Sequence, residues 1–354
     1  MRCRASEGLP ARSDPRAIAS ASASLSVESV CTLADAEATG TGATGTVRGG
    51  AFTTSVESAA LAEGERLFML DNWMAAAEHF HRAERLFGDS GDKRNALFAR
   101  VSRLRAEADQ TSYFDVAREI GGVLESEPAR NDGDLRLRCL VVKAALDLSL
   151  SPLLSGVEWR EARVLAERLG KPEWVRKADG ELAVVEYLQG NTTGAQKLLQ
   201  TALMNALGAG DKATVVRLLS LASVGMSEIG MQDRALTFAS EAIRVAGANK
   251  DLRFPIMAYM SKARILDKLG RTDESEKELA SAIQFANGAN MRVYRADLLQ
   301  ARAEHALRAG LSQEAADLLR EAVASASEVR MPRPKASALT TLARIHEQQG
   351  HLDE

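Results

Sequence analysis

An all-α fold, a right-handed α-solenoid superhelix of antiparallel helix pairs, is what this sequence predicts, and three observations carry it. Gly190, Gly230, Gly270, Gly310 and Gly350 stand forty residues apart. The same period carries Ala195, Ala235, Ser275 and Ala315, and again Ala202, Ala242, Ala282 and Ala322. Between these marks the apolar positions recur with the period of helices, in units long enough for two helices and two turns.

Composition agrees. Aromatic residues make up only 5% of the 354 residues, and alanine and leucine dominate, a mix that favours helix over sheet. A chain of this length would ordinarily divide into two or three globular domains, whereas a solenoid grows by stacking. The net charge of −3 provides no basic field for nucleic acid or an anionic membrane.

Residues 1–54 read as a disordered leader. Ala17–Ser26 and Thr39–Thr46 are rich in Ala, Ser, Thr and Gly, without apolar periodicity. The arginines at 2, 4, 12 and 16 are followed by no compact apolar stretch, which argues against a secretory signal. Residues 55–354 read as the repeat array, seven helix pairs and one final helix, cut off within its last repeat.

The clearest unit is 251–290. Its first helix is expected over Leu252–Leu269, with Gly270 closing it in a left-handed conformation. The second starts near Thr272 or Asp273, either of which can cap it, and runs to about Ala286. In the earlier units Asp71, Thr111 and Leu150 stand in the glycine position. The second helices keep a large residue in one slot (Phe80, Ile120, Trp159, Leu199, Leu279, Leu319) and a small one three residues later (Ala83, Val123, Ala162, Ala202, Ala242, Ala282, Ala322). Large then small on one face lets the neighbouring helix approach closely. Pro172 opens a helix, Pro255 falls in a first turn, and Pro332 and Pro334 mark the turn before the last helix. That helix, Lys335–Gln349, is expected to leave Leu339, Leu342 and Ile345 partly uncovered, as in the front part of a longer product.

Nothing in the sequence assembles a catalytic centre. His79 and His81 are two apart on a helix and diverge, so they cannot share a metal. His305 and His346 fall near each other in the repeat frame and read as rim histidines. Cys139 lies in an apolar run as a small core residue, and Gly45–Gly50 lacks the Lys-Ser/Thr of a phosphate loop. The apolar run Cys139–Leu154 is interrupted by Lys143 and Asp147 and falls short of the roughly 18–20 residues that span a bilayer. Cys3, Cys31 and Cys139 form no framework, which suits a reducing compartment, read as the cytoplasm. The sequence thus assigns no catalytic residue, no metal and no cofactor.

The spacings Ala183 to Gly190, Ala263 to Gly270, Ala303 to Gly310 and Ala343 to Gly350, with an alanine five residues after a glycine, resemble the tetratricopeptide repeat (TPR). Gly64, Trp73, Ala76, Phe80 and Ala83 match the same template in the first unit. The usual TPR period is about 34; forty is similar to the MalT-like and CHAT-associated bacterial variants. HEAT and armadillo repeats share the length but lack the small–Gly–Ala spacing. The resemblance implies a concave groove lined by first helices, each repeat touching only its neighbours. Its inward positions include Lys177, Tyr187, Arg217, Ser227, Met257, Met260, Arg264, Asp267, Asp297, Gln300, Glu304, Arg344 and Glu347. It implies a protein-interaction scaffold or sensor module with a peptide, a protein or another domain of the same polypeptide as partner, and neither nucleic acid nor membrane. The alternative is the regulatory front half of a protein carrying a CHAT-type peptidase or a helix-turn-helix regulator beyond Glu354.

Overall fold

The computed structural model describes residues 55–349, and these are helices and their corners, with no strand among them. The expected leader lies outside the described residues. In order the helices are α1 Val56–Met69, α2 Trp73–Asp89, α3 Lys93–Glu107, α4 Tyr113–Leu124, α5 Glu127–Asn131, α6 Gly133–Leu150, α7 Pro152–Arg168 and α8 Pro172–Leu188. There follow α9 Thr192–Gly208, α10 Lys212–Glu228, α11 Gln232–Gly247, α12 Ile256–Lys268, α13 Thr272–Gly288, α14 Arg292–Arg308, α15 Ser312–Glu328 and α16 Pro332–Gln349. Seven pairs result (α1/α2, α3/α4, α6/α7, α8/α9, α10/α11, α12/α13, α14/α15), with α16 last. The short α5 is an addition that the forty-residue frame did not contain.

The corners explain the glycine rhythm. At Gly270 (φ +74°) the chain turns left-handed, its N–H bonding Asp267 O at 3.1 Å while Arg271 N–H reaches Leu266 O at 2.9 Å. This pair of bonds satisfies carbonyls that a helix end leaves open. Left-handed residues recur every twenty positions: Gly170, Gly190, Gly210, Gly230, Gly270, Asn290, Gly310 and Arg330. The forty-residue period had caught only alternate corners. Asn72, Asp92, Ser112, Asp132, Asn191 and Asp211 cap the following helices through their side chains. Thr272 does not: it is the first residue of α13, after Arg271.

Four corners depart from the rule: the one at 125–132 is filled by the short α5, and three others each differ. Thr111 and Leu150 replace glycine and do not turn left-handed; α3 tightens into one 3₁₀ turn at Ala108–Gln110, and a single residue, Ser151, separates α6 from α7. The fourth departure corrects a boundary. The first helix of the clearest unit begins at Ile256 rather than Leu252, because residues 248–255 form an irregular corner ending at Pro255.

The slots behave as the pattern requires. Phe80, Ile120, Trp159, Leu199, Leu279 and Leu319 are all buried, as are Ala83, Ala162, Ala202, Ala242, Ala282 and Ala322; Val123 is half-buried. Gly64 shows how close the helices come: a Cβ added there would stand 2.8 Å from the Phe80 ring. Gly64→Ala is therefore expected to destabilise by about 1–3 kcal/mol through overpacking, and a urea midpoint equal to that of the wild type would refute the contact. At the end of the array Ile345 is buried, Leu342 half-buried and Leu339 exposed.

One expectation fails. The repeats do not touch only their neighbours, because the array winds back upon itself. Arg66 Nη1 donates to Asp251 Oδ2 at 2.9 Å and Asn72 Nδ2 to Asp251 O at 3.0 Å. Gln110 Nε2 reaches Ala289 O at 3.2 Å, and Arg333 Nη1 reaches Leu148 O at 3.5 Å. These pairs are 179 to 185 residues apart, so the solenoid closes a turn in about four and a half repeats. Val293, Ala296, Ala326, Val329 and Met331 join the apolar cluster of the first repeats across this seam.

Candidate ligand-binding groove

The inner helices of the first four repeats, α1, α3, α6 and α8, converge on the axis and fill it. The Arg138 guanidinium lies over Phe68 at 4.2 Å, over Phe98 at 4.9 Å and over Trp174 at 5.0 Å, and pairs with Glu65. Arg105 lies over Trp73 at 4.2 Å, and Trp73 meets Phe68 edge-on at 4.7 Å. Buried cations persist where aromatic faces and carboxylates replace water. Lys177, expected on the groove, is buried here against Asp71. This half of the concave face is occupied by its own side chains.

Beside it Asp109 links the two turns. Its Oδ2 accepts from Arg253 at 2.7 Å, and its Oδ1 accepts from Tyr113 at 2.6 Å and Arg105 at 3.4 Å. Arg253 also donates to the Tyr294 hydroxyl at 2.6 Å. Burial would raise the Asp109 carboxyl, but Arg253, then Arg105 and the Tyr113 hydroxyl, outweigh it and hold it below the usual carboxylate value.

From α8 to α16 the inner helices are joined by a ladder of polar bridges. Arg217 grips Glu181 at 3.0 and 3.2 Å, joining α8 to α10. Ser223 meets Ser261 at 2.7 Å, and Lys268 Nζ reaches Ser227 Oγ at 2.8 Å. Arg264 Nε donates to Glu304 Oε2 at 2.9 Å, and Asp267 binds His305 Nδ1 at 2.9 Å and Arg308 at 3.1 Å. Gln300 Nε2 closes the last step on Ser337 Oγ at 2.8 Å. Glu181, Lys268, His305, Arg308 and Ser337 were absent from the sequence-derived set, whereas Ser227 was in it. Their signal was available: partners lie 36 to 41 residues apart.

The predicted inward residues therefore divide. Arg217, Arg264, Asp267, Gln300 and Glu304 are rungs. Met260, 1% exposed, belongs to the core between helices and is not on the groove surface. Tyr187 is hydrogen-bonded to Glu228, its hydroxyl pushed up chiefly by burial. Met257, Asp297, Arg344 and Glu347 remain presented to the concave side or solvent: Met257 is 38% exposed, Arg344 and Glu347 are exposed, and Asp297 is half-buried. Burial pushes the Asp297 carboxyl up to about 6 against Arg264 and Arg333, with Glu304 adding to the rise. Arg264→Ala removes a rung whose arginine is a third exposed and should cost no more than about 1 kcal/mol. A melting temperature lowered as far as by a core truncation would contradict that placement.

Elsewhere, Cys139 is buried, and its thiol is pushed up to about 12 by burial. His305 meets Asp267 rather than His346. No three His, Cys, Asp or Glu among the described residues could hold a metal ion. A cleft of about 780 Å³ lies between α7, α8 and α9 and includes Arg163, Val175 and Met204.

No protein-family model matches the sequence, and no curated protein matches it. Solved structures do. A Rap protein complexed with competence and sporulation factor is 14% identical, with a TM-score of 0.63 over 82% of this chain and 81% of that one. NprR in complex with its cognate peptide NprX is 15% identical, with a TM-score of 0.56 over 79% and 84%. Identities this low speak for fold alone: the chain has the fold of a TPR-type α-solenoid.

Proposed function

We propose that the chain is a binding scaffold that takes an extended peptide or partner segment along the concave face of α10, α12, α14 and α16. The observation that carries the reading is the ladder. Inner helices bridged rung by rung form a preorganised surface, and a preorganised surface loses little entropy on binding. Along that surface Met257, Asp297, Arg344 and Glu347 make no hydrogen bond or ion pair within the described residues. Met257 supplies an adaptable apolar contact, and the charged groups supply polar anchors. Support also comes from the two structural counterparts, each solved with a partner molecule, in one case a cognate peptide. A cytoplasmic protein of the long-period, MalT-like kind fits this reading, with a protein rather than a nucleic acid as ligand and no chemistry of its own.

The test is panning of a random-peptide display library on the immobilised protein. Enriched sequences should lose binding to a Met257→Asp/Asp297→Lys variant and keep it on Val157→Asp, a change on the outer face of α7. Failure to enrich any sequence, or binders indifferent to the groove change, would overturn the assignment.

A further inference from the structure

We propose that the corner 248–255 is a hinge and that the seam between the two turns is a latch, so that the C-terminal turn swings as a unit and opens or closes the groove. Four observations converge on it. Every other corner from α8 onward is three residues long, whereas this one has eight, contains no left-handed residue and ends in Pro255. The same corner holds the seam, since Asp251 receives Arg66 and Asn72, Arg253 N–H donates to Leu70 O at 3.3 Å, and the Arg253 side chain enters the Asp109 cluster.

The other seam contacts are of the kind that can part. Arg330 bonds Asp115 at 3.1 Å with 59% of its side chain exposed, and Ser112 and Gln110 meet single carbonyls. On its C-terminal side the apolar share of the seam is two alanines, two valines and one methionine, with Tyr294 packed against the same cluster. An interface so mixed in character permits relative motion of the units it joins. Finally, the seam and the groove lie on the same helices. Tyr294 is one turn from Asp297 on α14, Arg253 precedes Met257 by four residues, and Arg333 is held by Leu148 O while facing Asp297 electrostatically. A motion that releases Arg253 and Arg333 therefore displaces the groove against the first turn, and a groove ligand and the latch bias one equilibrium.

The consequence for ligand entry rests on the groove reading above; the hinge itself does not. Native-state hydrogen exchange on the free protein tests the hinge. The Arg253 amide, bonded across the seam, should exchange at least tenfold faster than amides in the middle of α6, which require global unfolding. An Arg330→Ala/Arg333→Ala variant changes only exposed side chains at the far end of the seam. It should speed exchange at Arg253 severalfold and leave α6 unchanged. Cross-linking Asn72→Cys to Asp251→Cys with a bismaleimide, in a Cys3→Ser/Cys31→Ser background, should slow the Arg253 amide to the α6 rate. Equal rates at Arg253 and α6 in the wild type, or no response to the distant double change, would overturn the hinge. Failure of the peptide panning would sink the groove and leave these rates untouched.

Discussion

Trp159→Ala is expected to destabilise the protein by about 3–5 kcal/mol. Trp159 is 1% exposed and occupies the large slot of α7, in the apolar cluster that both superhelical turns share. Truncation removes an aromatic side chain from a site walled by several helices, where collapse is limited. Its indole Nε1–H has no hydrogen-bond partner among the described residues, so the residue acts there through packing. Trp159→Phe should accordingly cost markedly less than Trp159→Ala. Leu279→Ala, in the smaller cluster around α12 and α13, should cost about 2–4 kcal/mol. Urea unfolding followed by circular dichroism distinguishes these cases, and similar midpoints for Trp159→Phe and Trp159→Ala would refute the packing account. The seam adds a second expectation. In an open array unfolding can proceed repeat by repeat, whereas contacts between distant repeats couple the two turns. Trp159→Ala should therefore lower the midpoint for the C-terminal helices as well.

What the sequence carried and what it concealed follow one physical division. Contacts between adjacent helices recur in every unit, so the glycines, the small residues and the large slot left a periodic trace. The pairs, their corners and the buried faces could be read from it. Contacts that occur once leave no period. Asp109, Arg253 and Tyr294 look like ordinary polar residues on helical surfaces, and only the tightness of the winding brings them together. That tightness depends on small rotations between repeats, which no single residue encodes. The irregular corner at 248–255 did leave a sign, the missing left-handed residue between Gly230 and Gly270, visible once the period is read as twenty. The groove set was half legible for a related reason. Inward positions were transferable, but whether an inward residue is free or bridged depends on its partner in the next repeat. Arg264 has Glu304, forty residues on, whereas Arg344 finds no such residue among those described.

The buried carboxylate at the seam should produce the second large effect. Asp109→Asn keeps the shape of the side chain, so no cavity forms, but it withdraws the negative charge from between Arg253 and Arg105. Removing one partner of a buried ion pair leaves the other charge uncompensated, and the cost expected here is about 3–5 kcal/mol at neutral pH. The acid dependence fixes the mechanism. The folded-state value of Asp109 lies below its ordinary one, so its charge stabilises the fold fully above the unfolded value of about 4. That contribution is lost as pH falls through the lowered folded value. The gap in stability between wild type and Asp109→Asn should thus be constant from about pH 5 to 8 and should narrow below about pH 4. Arg253→Ala should cost less, since Asp109 keeps Arg105 and the Tyr113 hydroxyl. Measuring unfolding free energies of the three proteins across that range decides the matter, and a gap that widens with acid would show that Asp109 is not held as an anion by its arginines.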